Sequence, residues 1–143
     1  MLNRLRRWYC EQQFFPGPLG VFVNPFYLAR SALADAMGEL AGRVGGRLLD
    51  VGCGTQPYRR LFRVDEYVGL EIDSPVARSR GVAEVYYTGE RFPFENGAFD
   101  TLLCNQVLEH VFNPDAFVAE LARVLKPGGR LLLTVPFVWD EHE

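Results

Sequence analysis

The chain has 143 residues, 48% of them hydrophobic and 13% aromatic, enough for one domain with a real core. A formal net charge of -3 gives no global reason to expect nucleic acid, and no apolar run approaches the roughly 20 residues needed to span a bilayer. Cys10, Cys53 and Cys104 are odd in number and widely spaced, which excludes a disulfide framework and a metal cluster. A cytoplasmic, reducing setting, with neither membrane nor nucleic acid as partner, is the expectation.

Residues 1–24 carry Arg4, Arg6 and Arg7, read here as a solvated first turn in preference to a membrane or nucleic-acid contact. They are followed by many aromatics, Pro and Gly: Trp8, Tyr9, Phe14, Phe15, Pro16, Gly17, Pro18, Gly20 and Phe22. This is too apolar for a disordered tail. It reads as a short helix and a loop, serving either as a structural cap or as a lid. Asn24-Pro25 predicts a helix start, with a capping side chain followed by a residue that needs no N–H. The main domain is therefore expected over 25–143. Phe26, Ala29, Leu33, Met37 and Leu40 recur at helical spacing. Gly45-Gly46 ends that connection and a first strand follows, about Arg47 to Val51.

The run Leu48-Leu49-Asp50-Val51-Gly52-Cys53-Gly54-Thr55 passes from a buried strand into a glycine-spaced loop. Glycine lets the backbone bend sharply and approach a ligand closely. Open parallel sheets build nucleotide sites in this way, outside the carboxyl ends of their strands. A helix is expected to open at Pro57 to Phe62. Tyr67 to Ile72, Ala83 to Tyr87, Phe99 to Cys104 and Arg130 to Val135 read as further strands. Ser74-Pro75 and Asn113-Pro114-Asp115 read as helix starts, Phe92 to Gly97 as a loop, and Lys126-Pro127-Gly128-Gly129 as a helix stop. Strands alternating with helices predict an α/β, Rossmann-like fold: a mostly parallel open sheet with helices on both faces. Glu71 lies 21 residues after Asp50 at the end of the second strand, where an acid accepts hydrogen bonds from a ribose diol. Asp73 is the fallback for that role.

Taken together, these residues resemble the class I S-adenosylmethionine-dependent methyltransferases of the type 11 group. Leu49 to Thr55 is similar to the family's first motif, and Val68 to Asp73 to its second. Phe92 to Asp100 is similar to its loop and fourth strand, Gln106-Val107-Leu108-Glu109-His110-Val111 to the run that follows, and Leu125 to Gly129 to the turn before strand five. The resemblance covers about residues 45–137. It implies S-adenosyl-L-methionine as methyl donor and a small-molecule acceptor. It implies that Gly52, Cys53 and Gly54 pass the methionine part, that Asp50 organises the loop and attracts the cofactor ammonium, and that Glu71 holds the ribose. Phe92, with Leu70 or Ile72, would wall the adenine; Asn105 and Gln106 would face the methionine end. Thr88 stands where an acid for the adenine amino group is expected, and Gln56-Pro57 where the family often has a third Gly.

His110 and His142 are the candidate bases; His110 reads equally as a polar residue at a helix terminus. No ligand spacing links them, so no metal is expected. The chain stops directly after the fifth strand, without the family's C-terminal antiparallel hairpin, and reads as a fragment whose open sheet edge invites a homodimer. The rival readings are a catalytically incomplete regulatory module and an NAD-type oxidoreductase half. The latter is disfavoured because a full G-x-G-x-x-G needs Gly at Pro57.

Overall fold

Five apolar runs, each bounded by glycines or a capped helix start, become five strands of one sheet. The computed structural model describes residues 2–136, with side chains from Trp8 onward. It divides into two units: the residues up to Arg43 together with Pro57–Arg63, and Val44–Gln56 together with the residues from Val64 on. The division falls after the second helix.

The first unit holds helix α1 (Leu2–Phe14), a 3-10 turn (Pro18–Phe22), helix α2 (Tyr27–Ala41) and a second 3-10 turn (Arg59–Leu61). The expected helix at Asn24-Pro25 begins later, at Tyr27, and Asn24 does not cap it. Asn24 is buried instead. Its Oδ1 accepts the Phe26 N–H at 2.9 Å, and its Nδ2 donates to the Gln12 carbonyl at 2.8 Å. The side chain thus closes a turn of its own, the usual competition between Asn and a helix. The helix expected over Pro57–Phe62 is only the 3-10 turn: Phe62 is already extended, with φ -90° and ψ 121°. Tyr58 is buried edge-on to Phe14 and Phe15, and the Arg60 guanidinium lies 3.7 Å over the Phe15 ring.

The second unit holds the sheet, in the order β3-β2-β1-β4-β5. The central strand β1 (Arg47–Val51) pairs with β2 (Glu66–Ile72) and β4 (Phe99–Asn105). The outer strands are β3 (Val85–Tyr87) and β5 (Leu125–Thr134). Every described pairing is parallel. Helix α3 (Pro75–Arg80) connects β2 to β3, and helix α4 (Pro114–Val124) connects β4 to β5. The two connections step outward in opposite directions, so right-handed crossovers carry them to opposite faces of the sheet. Parallel strands covered on both faces need unbroken apolar runs. Leu48, Leu49 and Val51 are accordingly fully buried, and α4 adds Phe117, Leu121 and Val124 to the core. Ser74 and Asn113 cap their helices as expected, accepting the Ala77 and Ala116 N–H groups at 3.1 Å each.

The Lys126–Gly129 turn survives inside β5 as a bulge. Leu125 pairs with Phe99 and Arg130 with Thr101, so the residues between them loop out of register. Gly46, at φ 71°, lies so close to Asp100 that a Cβ there would stand 2.6 Å from its carboxylate. Asp100 in turn accepts the Arg47 N–H at 2.9 Å and the Lys126 ammonium at 2.6 Å, fixing the entry of β1 beside β4.

The loop before β4 is clamped by one ion pair. Arg123 donates to Glu120 at 2.7 Å and to the carbonyls of Phe92 and Phe94, while Glu120 accepts the Phe92 N–H at 2.9 Å. The Arg123 hydrogen bond, with the Phe92 N–H behind it, holds the Glu120 carboxyl below its ordinary 4.5. A depressed acid contributes stability above its unfolded value and loses it as pH falls through the folded one. Arg123→Met should therefore cost on the order of 2 kcal/mol near neutral pH in urea unfolding. It should also flatten the loss of stability as pH falls through and below the ordinary carboxylate range. An unchanged urea midpoint for the variant at neutral pH would show that the clamp contributes nothing.

Candidate functional site

The register sets Asp50 beside Gly69, Val51 beside Leu70, and Val51 beside Cys104, so the carboxyl ends of β1, β2 and β4 lie together. Just past β1 the chain turns over its neighbour: the Gly52 and Cys53 N–H groups both donate to the Leu70 carbonyl, at 2.8 and 3.2 Å. Gly52 has φ 67°, and a Cβ there would meet Val107 at 2.5 Å. Both the conformation and the space demand glycine. Gly54, at φ 54°, differs: a Cβ built on it meets nothing within 4 Å. One glycine packs the loop against the strand ends and the other opens it.

The Gly54 N–H donates to Glu71 Oε2 at 2.8 Å, and the Ile72 N–H to Glu71 Oε1 at 2.9 Å. Each carboxylate oxygen thus receives one backbone N–H and keeps further acceptor capacity. Asp50 is buried and accepts the Tyr67 hydroxyl at 2.6 Å. Asp73, the fallback acid, is paired instead with Arg78 through two bonds of 2.8 Å. Burial, with the Asp50 charge behind it, pushes the Cys53 thiol up to about 12, so it stays protonated. Cys104 is also raised to about 12, by burial first.

Beneath the loop lies a polar layer. Gln56 is buried at φ 51°, a left-handed conformation in which glycine is usual. Its Nε2 donates to Glu84 Oε2 at 2.9 Å and to the Val82 carbonyl at 3.2 Å, and the same Glu84 oxygen accepts the Gly69 N–H at 2.7 Å. A Cβ on Gly69 would collide with Gln56 Nε2, and would lie 2.8 Å from Glu84 and 2.9 Å from Cys53. The Gln that replaces a third loop glycine is thus matched by a glycine in the facing strand.

At the end of β4, Asn105 Oδ1 accepts the Thr134 hydroxyl at 2.7 Å. Gln106, at φ 56°, donates its N–H to the Thr134 carbonyl at 3.0 Å and its Nε2 to the Thr134 hydroxyl at 3.3 Å. Both amide residues are held to the end of β5.

Asp50, Gly52, Cys53, Gly54, Glu71 and Ile72 therefore gather where β1 and β2 end, with Asn105 and Gln106 at the end of β4. Thr88 is exposed just past β3, and the adjoining Gly89 comes close to Ile72, whose side chain is itself exposed. Phe92 is a correction. It is only 1% exposed, edge-on to Tyr87 and Phe117 in the core, and has no surface to offer adenine. His110 is exposed in a 3-10 turn (Leu108–His110), and His142 lies outside the described residues. Among the described residues no group of His, Cys, Asp and Glu is arranged to hold a metal ion. The sequence reading missed Tyr67, Glu84 and Thr134. Gly69, a glycine inside an apolar strand run, was a legible sign that something approaches β2 closely.

A glycine loop with a strand-end acid at the carboxyl ends of parallel strands is the arrangement by which open sheets build nucleotide-type cofactor sites. The family model for the methyltransferase domain matches residues 49–133, and the chain belongs to that family. It is 34% identical over 93 residues to an uncharacterized protein of Methanocaldococcus jannaschii, covering 63% of this chain and 44% of that one. It is 30% identical to the ubiquinone biosynthesis O-methyltransferase of Xanthomonas oryzae, covering 78% and 52%. Among solved structures, the YcgJ protein of Bacillus subtilis is 29% identical with a TM-score of 0.56, over 68% of this chain and 48% of that one. The chain spans about half the length of the curated relatives it matches.

Gly69→Ala should destabilise the protein by on the order of 1–3 kcal/mol through overpacking, where an ordinary strand would gain from the change. Adding Gln56→Ala to Gly69→Ala should relieve part of that loss, since it removes the side chain that the new methyl meets. Urea unfolding of both single variants and the pair checks this; strictly additive losses would reject the packing account.

Proposed function

We propose that this unit binds S-adenosylmethionine at the ends of β1 and β2 and that the protein transfers its methyl group to a small-molecule acceptor. The observation that carries the reading is the Glu71 carboxylate, tied to the glycine loop through the Gly54 N–H at 2.8 Å. The residues fit the cofactor. Glu71 retains acceptor positions for a ribose diol, the open space at Gly54 admits close backbone approach, exposed Ile72 offers an apolar surface for adenine, and Asp50 supplies a carboxylate at the loop's base. Asn105 and Gln106 would hold the methionine end, with Thr88 beside the adenine.

Bound there, the cofactor supplies a methyl group already activated by its sulfonium, so the protein's own contribution is alignment. Both buried thiols stay protonated and serve packing, not nucleophilic attack. Exposed His110 is the described candidate for a base, where an acceptor must lose a proton. A small-molecule acceptor is favoured because the unit carrying the site has seven basic and fifteen acidic residues, a formal charge of -8 that repels a polyanion. The free thiols, one exposed and two buried, suit a cytoplasmic setting, and no described helix is long and apolar enough to cross a membrane.

Calorimetry with S-adenosylhomocysteine tests the reading. Binding is expected for the native protein, and Glu71→Ala should weaken it by on the order of 1–3 kcal/mol. Binding of NAD in place of the homocysteine nucleoside would overturn the assignment; equal affinity of the variant would reject the ribose role.

A further inference from the structure

The turn between α1 and α2 has its polarity reversed. Its buried side chains are polar: Asn24 is 2% exposed and Gln12 8%. Gln12 Oε1 accepts the Gly17 N–H at 2.8 Å, and a Cβ on Gly20 would press on the same oxygen. The Val23 and Asn24 N–H groups both donate to the Gly20 carbonyl. The backbone is thereby fixed, while its large apolar side chains are left outside. Phe22 is 84% exposed and Leu19 64%, with Val21 also exposed; Phe26 and, at 80%, Leu28 follow at the start of α2. Five exposed large apolar residues fall within ten positions, and exposed apolar surface gathered in this way marks an interaction site.

Charge narrows what covers it. The unit carrying this turn has eight arginines and three acids, a formal charge of +5, against -8 for the other unit. Arg4, Arg6 and Arg7 all fall on α1. A cationic unit with an exposed apolar, ring-bearing turn matches an anionic lipid surface, where arginines meet headgroups and apolar side chains enter the acyl boundary. Nucleic acid matches the charge but gives no use to exposed Leu19, Val21 and Leu28. We infer that the first unit docks peripherally on anionic phospholipid through the Leu19–Leu28 turn, without spanning the bilayer. This revises both the solvated-turn reading of the arginines and the expectation of no membrane partner.

Sedimentation of the purified full chain with vesicles tests it. Phosphatidylserine-containing vesicles should bind the protein and pure phosphatidylcholine vesicles should bind it much less, with the difference shrinking as salt is raised. Phe22→Ser should weaken binding on the order of tenfold or more, the loss expected for one buried aromatic side chain. Leu28→Ser, on an exposed helix surface, should do the same even if Phe22→Ser fails to fold. S-adenosylhomocysteine binding by a folded variant serves as an independent check of the other unit. A folded native protein that ignores anionic vesicles would overturn the inference. So would a dimer that Leu28→Ser disperses, or retention on RNA without retention on vesicles.

Discussion

The Glu71 carboxylate accepts one N–H from the loop after β1 and one from its own strand end, at 2.8 and 2.9 Å. These are charge-assisted bonds, stronger than neutral ones, and they occupy both oxygens. Their effect is to set the glycine loop against β2. The Leu70 carbonyl, one residue earlier, receives Gly52 and Cys53 from the same loop. Three loop N–H groups are thus fixed by two successive residues of one strand. The acid expected to recognise a ribose is also the acid that shapes the loop, so loop geometry and ribose affinity depend on one side chain. Losing the carboxylate would remove the proposed ribose contact and an internal acceptor together.

A second acid stabilises the arrangement from below. Glu84, from just before β3, joins the Gly69 N–H to the Gln56 amide. A non-glycine residue in the left-handed region costs about 1–2 kcal/mol. The hydrogen bonds of the Gln56 side chain offset that cost, and its bulk is admitted only because Gly69 lacks a Cβ. The missing third glycine of the loop and the unexpected glycine of the strand are two halves of one packing solution. This answers the apparent departure at Gln56: the loop is pinned by a side chain where the family pattern often uses a bare backbone.

What the residues disclosed, and what they withheld, follows from the range of the interactions involved. β1, α3 and α4 were legible because strand burial and helix capping act locally: Leu48 to Val51, Ser74-Pro75 and Asn113-Pro114 each carry their own instruction. The placing of Glu71 near the end of β2 was legible because Tyr67 to Ile72 reads as a strand by its own apolar run. Asn24 misled because a capping residue also closes turns, and the choice was made by Gln12, twelve residues away. Pro57 to Phe62 misled because the segment is too short and too apolar to declare a helix alone, and its Tyr58 packs on Phe14 and Phe15. Phe92 misled because a loop aromatic looks available, whereas the Glu120–Arg123 clamp on its backbone accompanies a ring turned inward on Phe117. Thr134 was invisible because its tie to Asn105 and Gln106 exists only once β5 has paired with β4.

The order of the chain gives the pinned loop a further meaning. Pro57–Arg63 belongs to the first unit, although it lies in sequence between β1 and β2 of the second. The glycine loop therefore runs directly into the other unit at Gln56-Pro57. Gln56 is also where the loop is fastened, through Glu84 and Val82, to the sheet. Its side chain thus ties the last residue of the loop to the segment before β3. A glycine at position 56 would have adopted the same backbone angle with no side chain to anchor. The choice of Gln over Gly is thus accounted for by the side-chain bonds that tie the end of the loop to Val82 and Glu84.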